Sequence, residues 1–209
     1  MDFKLKSGAF SDSDSADIVF LIHASKNTNN KDFKKLMKYL GVIAQRPDIK
    51  KNKIGIVFYG PSAETVLELT EFKKVKLLAK AFRKIKGNKR FKTADLVSAL
   101  SFVREHVFNG KDNDDPARPN GIVLVRDQGA KKVNTDNMRN ELSLLHANAV
   151  NIFQIGIGDN TANDTESTLV KEHYGDSSSS TVSSYNQLVG SRHVVDNLSS
   201  KFRSFREFM

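Results

Sequence analysis

The chain has 209 residues, 39% of them hydrophobic and 27% charged, with a formal net charge of +9. That is long enough for one domain with a substantial core, and no apolar run approaches the ~20 residues of a membrane-spanning helix. Cysteine is absent, which excludes disulfides and thiolate metal sites. The opening Met1-Asp2-Phe3-Lys4 has no apolar signal core, so the expectation is either a cytosolic chain or a mature or excised piece of a secreted one.

Residues 1–15 are polar and rich in Ser and Asp, and read as a flexible leader or linker. Residues 16–209 are expected to form a single domain. Residues 17–23 (Asp-Ile-Val-Phe-Leu-Ile-His) make a buried strand. Residues 31–46 place Phe33, Leu36, Met37, Leu40 and Ile43 at helical spacing, with lysines between them, and Pro47 ends that helix. A second buried strand runs over 54–59, and the alternating stretch 64–69 suits an edge strand. Helices follow at 72–85 and 94–108, then a loop rich in Gly, Asp, Asn and Pro over 109–120. Residues 122–125 are a strand, 135–147 a helix, 150–157 a strand and 165–174 a short helix. Ser177 to Ser180 reads as a flexible serine tract, 181–183 as a last strand, and 189–208 as one terminal helix. The alternation predicts an α/β fold: a doubly wound, mostly parallel sheet of about six strands with one antiparallel edge strand and helices on both faces.

In such a sheet, ligands bind beyond the carboxyl ends of the strands, which draws attention to the loop His23-Ala24-Ser25-Lys26-Asn27. It has no glycines of the kind that cradle a nucleotide phosphate. No G-x-S-x-G elbow occurs anywhere. His106, His146, His173 and His193 fall in helical patterns without a nucleophile at a telling spacing, and are expected to be surface or packing residues.

Five ordered segments resemble the von Willebrand factor A domain family. They are Ala16 to Ile22; Lys53 to Tyr59 followed by Leu67-Glu68-Leu69; Ala99-Leu100; Gly121 to Gly129; and Ala149 to Gly158. Together they span roughly residues 16 to 205, and their flavour is that of collagen VI-like matrix domains. The resemblance implies a protein-binding module, seldom enzymatic, with a divalent ion held by three loops at a metal-ion-dependent adhesion site. The family's first loop reads D-x-S-x-S. Here the acid is replaced by His23, the first serine is kept as Ser25, and the second is replaced by Asn27. The second-loop threonine falls near Ala94, with Thr93 one residue off, and the third-loop acid is kept as Asp127.

Mg²⁺ and Ca²⁺ take hard, charged oxygen ligands, whereas imidazole suits Zn²⁺, Cu²⁺ or Ni²⁺ better. The site has lost a carboxylate and gained His23 and Lys26. The expectation is therefore a degenerate site with no cofactor, and Mg²⁺ or Ca²⁺ only as a weak alternative through Ser25, Asn27 and Asp127. A Zn²⁺-type site on His23 and Asp127 is weaker still. His23 or Lys26 is expected to pair with Asp127 in place of the ion.

The lysines supply a second expectation. They crowd residues 31–92, while residues 111–180 lean acidic, and such polarity favours polyanionic partners. Lys34, Lys35, Lys38, Lys73 and Lys74 are the candidate contacts, with the acidic loop 111–115 as another surface. The overall expectation is a non-enzymatic binding or structural module of an extracellular matrix or adhesive protein, with no membrane span. Its recognition is independent of metal, and its lysine face meets an acidic partner: glycan, acidic matrix protein, collagen or mineral. The alternatives are an adhesion domain that still binds a divalent ion, and an intracellular scaffold that binds protein or nucleic acid. The nucleic-acid reading is disfavoured because the aromatics fall at core spacing. Two sequons, Asn163-Asp164-Thr165 and Asn197-Leu198-Ser199, would accept glycans in a secreted chain.

Overall fold

The computed structural model describes residues 15–44, 52–86, 91–111, 113–127 and 133–204. Most of the expected leader (1–14), the end of the first helix with Pro47, and residues 205–209 lie outside the described residues. The strands are β1 (Asp17–His23), β2 (Lys53–Tyr59), β3 (Ala63–Glu71), β4 (Asn120–Asp127), β5 (Val150–Ile157) and β6 (Ser179–Val182). They form one sheet in the order β3-β2-β1-β4-β5-β6. Only the β2–β3 pairing is antiparallel, so β3 is the expected antiparallel edge.

The helices are α1 (Asn30–Ile43), α2 (Val75–Lys84), α3 (Leu96–Phe102), α4 (Thr135–Ala147), α5 (Thr165–Tyr174), α6 (Tyr185–Gly190) and α7 (Arg192–Ser204). α3 widens into a π-helical turn over Val103–Val107. Alternation along the strands makes two cores. Ile18, Phe20 and Ile22 of β1 pack with Leu36 and Leu40 of α1, Phe82 of α2 and Leu198 of α7. Val19 and Leu21 face the other way, toward Leu100 of α3, Leu142 of α4 and Val170 of α5. Because both faces are covered, β1 is buried along its whole length, which explains its unbroken apolar sequence.

Polar residues start most of the helices. Asn29, Asp95, Asn134, Asp164 and Ser184 each accept a backbone N–H of the first turn of α1, α3, α4, α5 and α6, satisfying donors with no partner inside the helix.

Two expectations at the C-terminal end are corrected. The serine tract is ordered structure rather than a flexible link. Residues 176–178 form a 3₁₀ turn and β6 begins at Ser179. Ser178 and Ser180 are buried, with Ser180 paired to Ile155 of β5. The single terminal helix is two, α6 and α7, separated at Ser191. The Ser191 hydroxyl donates to the Gln187 carbonyl, and its own carbonyl accepts from the Tyr39 hydroxyl, which pins the corner to α1.

The chain leaves β1 toward β2 on one side and reaches β4 on the other. β1 and β4 are therefore adjacent strands whose connections diverge. That divergence opens a crevice at their carboxyl ends, where β1 ends in His23 and β4 in Asp127.

Candidate functional site

The crevice is organised around the Asp127 carboxylate. The Nδ1–H of His23 donates to its Oδ1 at 3.0 Å; a carboxylate only accepts, which assigns the proton to Nδ1. The Thr28 hydroxyl donates to Oδ2 at 2.8 Å. The Tyr185 hydroxyl, at the start of α6, lies 2.9 Å from Thr28 Oγ1 and 3.3 Å from Asp127 Oδ2, so its proton is shared between them. Burial, followed by the charge of Asp127, pushes the Tyr185 phenol well above its ordinary pKa, so it stays a neutral donor. The side chains of His23 and Asp127 are only 2% and 8% exposed. The His23 ring is further held beside Tyr59, with centroids 5.2 Å apart.

The remaining loop residues serve the backbone. Ser25 Oγ accepts from the Asn27 N–H at 3.1 Å. Ser25 also bridges to Phe91 as an isolated β-pair, and the Lys26 N–H donates to the Phe91 carbonyl. Lys26 and Asn27 are exposed. Of the two bases proposed for Asp127, the structure brings His23 to it and leaves Lys26 at the surface. Thr93 is half-buried and takes no part in the bonds around Asp127. The loop that carries it rests on Gly60, which leaves room for the Phe91 ring: a Cβ there would come 2.7 Å from Phe91 Cβ. The open side of the crevice is a cleft of about 460 Å³ whose lining includes Asn27, Asp32, Asp127, Gly158 and Tyr185.

Arg126 behaves differently from what its neighbourhood in sequence suggests. Strand alternation turns it away from Asp127 to the opposite face of the sheet. There it pairs with Asp164 and Glu166 at the start of α5, and donates to Ser167 Oγ at 2.7 Å. Burial alone would lower its pKa, but the Asp164 hydrogen bond and the Glu166 charge outweigh it and hold the guanidinium above its ordinary value. Burial raises the Glu166 carboxyl despite Arg126. Sequence reading missed this cluster and also missed Thr28 and Tyr185. A lone arginine inside Gly-Ile-Val-Leu-Val-Arg-Asp was a usable signal, because a buried cation needs acids.

The other candidates separate from the crevice. In the acidic loop, Asp115 pairs with Arg118, its N–H donates to the buried Asp17, and Asp114 accepts from the Gly110 N–H. Lys35 bonds Asp32 at 2.7 Å and Asn186 at 2.6 Å, whereas Lys34, Lys38, Lys73 and Lys74 are exposed. His106 stacks on Phe102, and His173 bonds Ser143 and the Leu169 carbonyl.

A doubly wound sheet with its crevice between the first and fourth strands defines a class of ligand-binding α/β domain. The von Willebrand factor type A domain family matches residues 17–193, and the chain belongs to it. Its fold is similar to that of proximal thread matrix protein 1 of the mussel byssus, with a TM-score of 0.72 at 19% identity over 88% of this chain. This chain spans about half of that protein, 47% of its length. A second structure of the byssal protein has zinc in its metal-ion-dependent adhesion site, with a TM-score of 0.70, 19% identity, and coverage of 88% of this chain and 48% of that one. The conserved hypothetical protein BatB of Bacteroides thetaiotaomicron aligns at a TM-score of 0.61 and 10% identity, over 90% of this chain and 99% of its own. The domains of this family are in general interaction modules.

The family's metal is a poor match for the donors present. Ser25, Asn27 and Asp127 supply one carboxylate, both of whose oxygens already accept protein hydrogen bonds. A hard dication draws on carboxylate charge and free oxygen lone pairs to offset its dehydration, and the single carboxylate here is engaged with protein donors. Among the described residues no three His, Asp or Glu side chains are grouped to hold a metal.

Proposed function

We propose that this chain is a non-enzymatic, protein-binding or structural module of an extracellular matrix or adhesive protein, and that its crevice works without Mg²⁺ or Ca²⁺. The observation that carries the proposal is that both oxygens of Asp127 accept hydrogen bonds, from His23 on one and from Thr28 and Tyr185 on the other. In the family's arrangement a cation balances that acid. Here an imidazole N–H and two hydroxyls do so, and they tie β1, the loop after it, β4 and α6 into one rigid unit. Membership of the family and the likeness to a byssal matrix protein support the matrix assignment and an extracellular location. The exposed lysines of α1 and of the loop before α2 form a separate face suited to acidic partners.

The test is thermal denaturation after exhaustive chelation. The melting temperature is expected to be unchanged by EDTA and by millimolar Mg²⁺ or Ca²⁺ added back. A drop on chelation that Mg²⁺ restores would overturn the reading. A specific response to Zn²⁺ would instead favour a His23–Asp127 transition-metal site.

A further inference from the structure

α1 is a half-buried helix. α2 covers one side, where Gly41 allows the backbone to approach Phe82 (a Cβ on Gly41 would lie 3.3 Å from Phe82 Cβ). α6 and α7 cover the other, with Leu188, Val194 and Leu198 in the same core. After Asn30 at its start, the stripe of α1 left in solvent is Lys31, Lys34 and Lys38 followed by Val42. These positions recur every three or four residues, so they line one edge of the helix. On α2 the core face is Leu78 and Phe82, and the opposite face carries Lys76, Lys80, Arg83 and Lys84. α2 contains no acidic residue, and the one acid of α1, Asp32, is held by Lys35 and Asn29. None of these seven exposed cations pairs with a carboxylate among the described residues. α1 and α2 pack against each other through Gly41 and Phe82, so both sets of cations belong to one helix layer on that side of the sheet, extended by Lys73 and Lys74 at the entrance to α2.

We infer that the α1–α2 face is a binding site for a linear sulfated polysaccharide. The inference rests on the lysine-face part of the function proposed above and is independent of how the crevice is balanced. Like charges crowded on two adjacent helices cost stability by mutual repulsion, and a polyanion lying across them relieves that repulsion and releases its counterions. The chemistry of the face selects among polyanions. Single-stranded nucleic acid uses aromatic platforms for its bases, but the large exposed apolar residues among the described ones are all aliphatic: Val42, Val66, Leu77, Leu144 and Val189. Bidentate recognition of phosphates favours arginine, whereas this face is lysine with a single arginine. A protein partner would want a desolvated apolar centre; Leu77 stands alone on α2, and the apolar cleft that Val42 shares with Val189 and Val195 lies between α1 and the C-terminal helices, at the end of the lysine stripe rather than within it. Lysines are compact point charges, which suits sulfates spaced along a flexible chain.

The experiment measures binding of the full chain to immobilised heparin over a range of NaCl. Parallel arms use de-sulfated heparin and duplex DNA of matched charge density. The expected result is saturable binding that weakens steeply with salt, is lost on de-sulfation, and is stronger for heparin than for DNA. A variant carrying Lys34→Ala, Lys38→Ala, Lys80→Ala and Arg83→Ala should lose at least about tenfold in affinity, because each phosphate-like contact adds to the salt-dependent binding. The control, Lys111→Glu with Arg139→Glu, changes the net charge by the same four units; Arg139 is exposed on α4, which packs on the opposite face of the sheet, and the variant should retain binding within about twofold, screening being strong beyond ~8 Å at physiological salt. Equal losses in the two variants would show a net-charge effect and overturn the site. Equal or tighter binding of DNA, or retention on de-sulfated heparin, would overturn the assignment to a sulfated chain. None of these outcomes depends on added metal, so a failure here is distinct from a failure of the crevice reading.

Discussion

Restoring an acid at position 23 tests the logic of the crevice. In His23→Asp a donor to Asp127 becomes a second carboxylate. Both side chains are nearly buried, so solvent screens them little. Two like charges about 4 Å apart repel by about 4 kcal/mol at an effective dielectric of 20, and Asp127 Oδ1 loses its hydrogen bond as well. Protonation of one acid relieves part of this, leaving a net cost of about 3–5 kcal/mol, comparable with breaking a buried pair. For a domain of this size that corresponds to a melting temperature lower by roughly 6–20 °C. The variant also regains the family's pair of carboxylates and should become responsive to Mg²⁺. An ion at a hundred times its Kd returns about 2.7 kcal/mol, or roughly 5–11 °C. Differential scanning calorimetry in EDTA and in Mg²⁺ reads both numbers. A metal-free variant that melts within about 1 °C of the parent would refute the reasoning, since the His23–Asp127 contact would then carry no stability.

Arg126→Met leaves Glu166 buried without its cation and should cost about 3–5 kcal/mol at neutral pH, with much of the loss recovered in the double variant Arg126→Met, Glu166→Leu; urea denaturation of the two checks this. Burial raises the pKa of Asp17 despite the Asp115 N–H and the charges of Lys53 and Arg118. An acid raised in the folded state binds its proton more tightly there, so stability falls as pH rises from its unfolded value through its folded value. Asp17→Asn should therefore remove that decline, and the gap between parent and variant, followed by urea denaturation across pH, should change in favour of the variant as pH increases; a gap independent of pH would contradict it. Gly60→Ala should cost about 1–3 kcal/mol by pushing Phe91 and its loop away from the crevice, measured as a lower denaturation midpoint with an unchanged slope.

The sheet was legible because its signals are local. Ile-Val-Phe-Leu-Ile in β1 and Ile-Val-Leu-Val in β4 are runs that only a strand covered on both faces requires, and the alternating residues of β3 mark an edge. The C-terminal part was less legible. Ser178 and Ser180 are polar residues buried by sheet pairing and turn hydrogen bonds, which composition does not reveal. The break at Ser191 depends on Tyr39 reaching it from α1. At the crevice, the position of His23 and Asp127 followed from chain order. The partners Thr28 and Tyr185 did not: Tyr185 is 58 residues from Asp127, and only the folding of α6 over the sheet brings them together. Likewise Arg126 looked like a neighbour of Asp127 in sequence, but the two-residue period of the strand sends it to the other side.

The most direct test of metal independence is a calorimetric titration of the chelated chain with Mg²⁺ and Ca²⁺, with His23→Asp titrated alongside. The expected result is no saturable heat for the parent and stoichiometric binding by the variant. One-site saturable binding of either ion by the parent at sub-millimolar concentration would contradict the account, because Asp127 would then have to exchange His23 and Thr28 for the ion.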